Sequence, residues 1–322
     1  MTESHRSNPS SAAKFCAGGA TDVGRKRKHN EDTILSRVDL GLFVVADGMG
    51  GHCAGDYASS LTASSMEQFF EATENNWDWD QPHPDFPDLE PGAARLAVAI
   101  RRANDNVYDA SVEDAARKGM GTTVVALHLT SDGMIHIAHV GDSRCYRVGV
   151  GDIEQVTQDH SFINNVRWAQ PSIDDEVIAS IPKNIITRAL GTKGAIEIDV
   201  RSEMTLPGDA YLICSDGLSG MVSTAQIQSV VECIEDPMAA CKELIALANR
   251  GGGKDNISVV IVRIDDRGDT LSNSLVSIHG VEDSPLRFDE DLGKWVCCEC
   301  GHEHVDGTSF CVECGMAFLP NQ

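Results

Sequence analysis

Runs of consecutive apolar residues, two of them ending in a carboxylate followed by glycine, dominate the pattern of this chain. They fall at "GLFVVAD" (41–47), "TTVVALHLT" (122–130), "MIHIAHVGDSRCYRV" (134–148), "AYLICSD" (210–216) and "NISVVIVRI" (256–264), and read as strands. Between the second and third lies "SDG", the turn chemistry of a hairpin, which predicts antiparallel pairing there. Helical periodicity covers about 55–72, 92–117 and 237–249. In the middle segment Leu96, Ile100, Ala103 and Val107 recur at three- and four-residue steps. Strands apolar on both sides, combined with helices carrying one apolar stripe, imply sheets covered by helical layers over roughly residues 15–265.

The remainder divides by composition. Residues 1–14 are Ser-rich and aperiodic, which predicts a disordered tail. The acidic, Pro-rich segment 75–92 predicts a surface loop between the first two helices, and the irregular stretch 160–185 a flap. From 266 to 294 the chain is polar and reads as a linker to a compact segment at 295–319.

A length of 322 residues with 42% hydrophobic content is enough for one large domain and a small appendage. The 49 acids against 26 Lys and Arg leave a formal charge of -23, which repels phosphate backbones and anionic membranes and makes nucleic acid an unsuitable partner. No apolar run approaches the ~20 residues that span a bilayer, and residues 1–15 lack the apolar stretch of a signal peptide, so the expectation is a cytoplasmic protein that does not engage membranes. Of eleven cysteines, five lie between Cys297 and Cys314 and the rest are scattered, which suits reduced thiols and one metal cluster better than disulfides.

The acids that end or flank the strands need a common explanation. Glu31 and Asp32 in "HNED", Asp47 in "VVADG", Asp142 in "VGDSR", Asp216 in "ICSDG" and Asp255 in "GGKDN" all sit at apolar strand edges. A carboxylate beside a core is destabilising by several kcal/mol unless it is paired or bound to a cation. A shared hard cation stabilises all of them, and an oxygen-only donor set selects Mg²⁺ or Mn²⁺ over zinc. Two such ions can clamp a water and lower its pKa, which suits phosphoester hydrolysis. Any one Asp-Gly is more often a turn than a metal site, and spacing alone does not bring the acids together.

The ordered series "RKHNED", "VVADGMGGH", "GMGTTVVA", "HVGDSRCY", "QDHS", "ITRALG", "LICSDGL" and "GKDNISVV" resembles the metal-dependent Ser/Thr protein phosphatases of the type 2C (PPM) family, in its bacterial branch. The resemblance spans about 16–264 and implies an α+β fold, a four-layer αββα sandwich with two central sheets, and a dinuclear Mn²⁺ or Mg²⁺ centre at one end. It implies further that Asp47 bridges both metals, that Gly48 gives one its carbonyl, that Asp216 and Asp255 complete one shell and Glu31 serves the other. Asp32 would orient metal-bound waters, and Asp142 with Asp216 would hold a third, weaker metal. Arg27, preferred over Arg25 in the basic cluster "RKRK", would grip the phosphate. Guanidinium suits this role because it is bidentate toward phosphate oxygens. The implied mechanism is in-line attack by a bridging hydroxide with no phosphoenzyme, on phosphoserine and phosphothreonine of proteins modified by a Ser/Thr kinase. Met49 stands where the eukaryotic branch has a histidine that acts as general acid. His52 and His160 are not assignable to that role from sequence, and metal-bound water is the expected proton source.

At the C-terminus, Cys297/Cys300 and Cys311/Cys314 form two CxxCG units, the pattern of a structural zinc ribbon, with Gly301 and Gly315 for the knuckle turns and Trp295, Phe310 and Phe318 as a small core. Cys298 is the spare thiol, and His302 and His304 are expected to face solvent. A protein-docking role suits this segment better than DNA reading, since it has few basic residues. The alternative to an enzyme is a phosphoprotein-binding pseudophosphatase whose ribbon contacts partners. The intact acid set argues against it.

Overall fold

The computed structural model describes residues 15–50, 54–170, 173–174, 177–178, 181–182 and 185–265, together with three short strands at 286–289, 294–297 and 303–304. The expected tail (1–14), His52, and Cys298, Cys300, Gly301, His302, Phe310, Cys311, Cys314, Gly315 and Phe318 lie outside the described residues.

Eleven strands build two sheets in which every pairing is antiparallel. One sheet runs in the order β1 (Phe15–Asp22), β11 (Ile257–Ile264), β10 (Ala210–Cys214), β7 (Arg144–Gly149) and β8 (Asp152–Gln155). The other runs β2 (Asp32–Arg37), β3 (Leu42–Met49), β5 (Val124–Leu129), β6 (Met134–Val140) and β9 (Asp199–Met204), with the two-residue β4 (Gly121–Thr122) paired to the end of β3. The hairpin expected at 131–133 joins β5 to β6.

The central strands are apolar throughout because both of their faces are covered. In β3, Phe43 and Val45 join Leu127, Ile137, Tyr211, Ile213 and Val260 between the sheets, while Leu42 and Val44 face Met66, Phe70, Leu96 and Ile100. Those last four belong to α1 (Ala54–Thr73) and α2 (Pro91–Glu113), which cover the β3 sheet. On the opposite side α5 (Thr224–Cys233) and α6 (Pro237–Arg250) bury Ile227, Val231, Leu244 and Ala248 against Leu212, Val259 and Ile261. The result is the expected helix, sheet, sheet, helix layering. Two shorter helices, α3 (Phe162–Ala169) and α4 (Asp216–Ser219), lie near one end. No helix among the described residues is long and apolar enough to cross a membrane.

The main correction concerns 134–148, read from its pattern as one strand. It is two strands in different sheets, since β6 pairs in one and β7 in the other. The chain crosses between them at Gly141, whose φ of 113° is open to glycine and strained for other residues. A Cβ there would lie 2.6 Å from Thr123 Cβ. The second helix is also shorter than expected. It ends at Glu113 and is followed by a 3-10 turn at Ala115–Arg117. Within the stretch read as linker, Leu286–Asp289 (β12) pairs with Lys294–Cys297 (β13), which pairs with Glu303–His304 (β14).

Candidate metal centre

The acids at the strand edges converge because their strands all end at the same side of the sandwich. Asp47 lies near the end of β3, Asp216 opens α4 just after β10, Asp142 sits on the crossing from β6 to β7, and Asp255 precedes β11. These four, with Glu31, Arg27, Gly48, Met49, Gly50, Thr123, Ile186 and Asn256, line a cavity of ≈ 340 Å³. Asp32 stands directly opposite Asp47 in the β2–β3 register, 8% exposed, behind the cavity wall.

The electrostatics are those of crowded, buried like charges. Burial first, then the charges of Asp32, Asp216, Asp142 and Asp255, hold the Asp47 carboxyl well above the ordinary range. Burial pushes Asp32 up to about 6, with Asp216 and Asp255 adding to it against the opposing hydroxyls of Ser258 and Ser215. Asp142 is likewise raised to about 6 by burial and then by Asp216 and Asp159. Asp216 is raised by burial and then by Asp255. Two of the buried polar atoms without a hydrogen-bond partner, Asp32 Oδ1 and Asp216 Oδ1, belong to this set. An all-oxygen group of repelling carboxylates with orphaned buried oxygens fits hard divalent cations. On the rim, Arg27 Nη2 donates to Asp255 Oδ2 at 2.8 Å.

Neutral residues that the pattern of the sequence did not single out hold these acids in place. Asn256 Oδ1 accepts from the Glu31 N–H at 2.9 Å, and Asn256 Nδ2 donates to the carbonyls of Val23 and His29, which ties the 23–31 loop to β11. Ser215 Oγ donates to Asp32 Oδ2 and accepts from the Ser258 N–H. Thr123 Oγ1 accepts from the Asp47 N–H and shares a bond with Ser143 Oγ, linking Asp47 to the Asp142 crossing. For Asn256, Ser215 and Ser143 the only sequence signal is a polar residue beside a motif acid, and Thr123 lacks even that.

Gly48 has a steric role that its expected carbonyl donation did not reveal. A Cβ there would lie 2.1 Å from the Gly55 carbonyl oxygen and 2.6 Å from that of Glu31, both backbone atoms. Gly48→Ala therefore moves the first turn of α1 or the Glu31 loop. It is expected to destabilise the protein by about 1–3 kcal/mol, as overpacking does, and to weaken Mn²⁺ binding. Denaturant titration and calorimetry with Mn²⁺ check both effects.

Met49 lines the cavity, as its place in the motif implied, and His160 does not. At the C-terminus Cys297 ends β13, while the three other cysteines of the expected ribbon lie outside the described residues.

Similarity to known proteins agrees with this geometry. The family profile described as "Protein phosphatase 2C" matches residues 23–248. "Protein phosphatase PhpP" of Streptococcus pneumoniae is 32% identical over 250 residues, covering 76% of this chain and 96% of that protein. Among solved structures, Stp1 from Staphylococcus aureus, a serine/threonine phosphatase, superposes with a TM-score of 0.68 at 30% identity, covering 83% of this chain and 100% of that one. The catalytic domain of the phosphatase PstP in complex with 2 manganese ions does so with a TM-score of 0.65 at 31% identity, covering 78% and 99%. With the profile spanning more than half the chain and the two-sheet fold shared, this chain belongs to the protein phosphatase 2C (PPM) family.

Proposed function

We infer that this chain is a metal-dependent protein serine/threonine phosphatase whose catalytic centre is the acid-lined cavity. The observation that carries this reading is the convergence of Glu31, Asp47, Asp142, Asp216 and Asp255 on one cavity with Arg27 at its rim. Asp47, the carbonyl of Gly48, Glu31, Asp216 and Asp255 would hold two Mn²⁺ or Mg²⁺ ions. Asp142 and Asp216 would hold a third, more weakly. When bound, the metals supply an acidified water and neutralise charge on the phosphoryl oxygens. Asp32, fixed by Ser215, orients water from behind Asp47. Arg27 binds the phosphate with its two parallel N–H groups, leaving Asp255 as it does so. The Met49 thioether has no proton to give, so the leaving serine or threonine oxygen takes its proton from water in the channel.

The substrates of this reading are phosphoproteins made by a Ser/Thr kinase in the cytoplasm. Residues 15–265 form the phosphatase domain, and the two CxxC pairs at 297–314 form a zinc ribbon that docks a protein partner. The spacing of Cys297, Cys300, Cys311 and Cys314 supports the zinc.

The test is phosphate release from a phosphothreonine peptide by the purified full chain with Mn²⁺, with loss of that release on adding a chelator. Turnover indifferent to the chelator, or no turnover at any Mn²⁺ concentration, would overturn the reading.

A further inference from the structure

The crossing that carries Asp142 is clamped from two directions. On one side Thr123 and Ser143 share a hydroxyl contact at 2.7 Å. On the other stands His160, whose backbone N–H donates to the Gly141 carbonyl at 2.9 Å and whose ring Nδ1 accepts from the Gly141 N–H at 3.1 Å. One residue thus holds both polar groups of the glycine whose φ of 113° turns the chain toward the cavity.

The second bond fixes the ring's protonation pattern. With Nδ1 accepting from a backbone N–H, the single proton of a neutral imidazole lies on Nε2. Nε2 faces both Asp199 Oδ2 at 3.3 Å and Arg188 Nη1 at 3.2 Å; a guanidinium only donates, and Arg188 Nη1 already donates to Asp199 Oδ1, so the Nε2 proton goes to the Asp199 carboxylate. Asp199 in turn accepts from Arg188 Nη1 at 2.8 Å, and Asp199 lies across from His139 in the β6–β9 register. His139 stacks against the His160 ring with centroids 4.6 Å apart and is anchored by a 2.8 Å contact from Nε2 to the Gln158 carbonyl. Burial, and then His139, lower the pKa of His160, which keeps the ring neutral. On its far side the His160 carbonyl accepts from the Thr187 N–H at 2.8 Å, one residue beyond the cavity-lining Ile186.

His139, His160 and Asp199 present ligand atoms within 4.8 Å of one another, close enough for a metal. The tautomer argues otherwise. A metal on His160 Nε2 needs the lone pair there, but the Gly141 N–H has already taken the ring's one lone pair at Nδ1. The arrangement is a chain of hydrogen bonds that ends on the metal loop.

We propose that His160 and Asp199 are positioning residues for Asp142: Asp199 orients the neutral His160 ring, the ring holds Gly141 in its left-handed conformation, and Gly141 aims the Asp142 carboxylate into the cavity. The inference rests on the reading of Asp142 as a ligand of the weaker metal. It deepens that reading by adding a support from β9 and from His160, ahead of α3.

The test combines two measurements on the full chain: calorimetric binding of Mn²⁺ without substrate, and the Mn²⁺ dependence of phosphothreonine-peptide turnover. His160→Ala is expected to weaken the weakest Mn²⁺ site by ~10-fold or more, the effect of losing a partner that orients a ligand, and to raise the Mn²⁺ needed for half-maximal turnover in parallel. His160→Asn, which can keep an acceptor near the Nδ1 position, is expected to recover most of this. On an Asp142→Ala background His160→Ala should add nothing further to Mn²⁺ binding. Asp199→Asn, half exposed and so tolerant of substitution, is expected to shift the same site by a smaller factor even if His160→Ala does not fold. A lowered melting temperature with Mn²⁺ binding unmoved would show a merely structural histidine and overturn the proposal, as would full additivity with Asp142→Ala. A wild-type chain that binds Mn²⁺ without turning over peptide would overturn the phosphatase reading instead, and the calorimetric comparison would still decide this one.

Discussion

Asp47→Asn is expected to lower kcat/KM toward a phosphothreonine peptide by more than ~10³-fold, beyond the ~10²–10³ that losing one stabilising hydrogen-bond donor costs, and to make the metal-free protein more stable. Both effects have one cause. Asp47 faces Asp32 across the β2–β3 register, and burial and four neighbouring carboxylates hold its own carboxyl far above the ordinary range. Like charges directly opposite in a sheet destabilise it. Replacing one by an isosteric amide removes that repulsion, and a gain of about 1 kcal/mol corresponds to ~2–4 °C in a domain of this size. Mn²⁺ reverses the order. The wild type gains stability by mass action when the ions bind, and the Asn variant loses most of that gain because the proposed bridging ligand is now neutral. Calorimetric melting of both proteins with and without Mn²⁺, beside a turnover assay, checks the pattern. A variant that melts lower in both conditions and keeps its activity would remove Asp47 from the centre of the site.

The same physics explains which parts were legible in the sequence. Phe43, Val44, Val45, Val259, Val260 and Ile261 belong to strands buried on both faces, and such runs stand out without any alternation. β9, "DVRSEM", and β8, "DIEQ", lie at sheet edges, are half exposed and carry few apolar residues, so nothing in their composition marks them. The break inside 134–148 was hidden for a different reason. Residues on both sides of it are apolar because each half is the interior of a different sheet, and only the Gly141-Asp142-Ser143 triplet records the crossing. Acids of the site were visible because a charge at the end of an apolar strand is conspicuous. Their supports were not. Asn256, Ser215 and Thr123 act through hydrogen bonds to groups 76 to 225 positions away, and no local spacing encodes such contacts. His160 was visible as a residue, but its use depends on the Gly141 N–H that meets its ring, which only the fold shows.

Arg27→Ala is expected to lower kcat/KM by ~10²–10³-fold while changing the stability of the metal-free protein by less than about 1 kcal/mol. In the structure Arg27 reaches over the cavity rim to Asp255, a pair whose side chains are 48% and 35% exposed. Such an exposed pair contributes little to stability, and an incoming phosphate can replace the carboxylate as partner of the guanidinium. On the proposed reading Asp255 would then be free to serve as a metal ligand, and Arg27 would exchange it for the substrate phosphate. Arg25 lacks this placement. Its backbone N–H is tied to the Gly253 carbonyl at 2.7 Å, and it is not among the cavity's lining residues. Arg25→Ala should accordingly leave kcat/KM within about twofold, as surface substitutions away from a site do. Arg27→Lys keeps the charge without the planar fork and should fall between Arg27→Ala and the wild type. Steady-state kinetics on a phosphothreonine peptide at saturating Mn²⁺ separates the three variants. Equal losses in Arg25→Ala and Arg27→Ala would reduce the cluster to a general positive field, whereas a loss confined to position 27 places the phosphate next to Asp255 at the cavity rim.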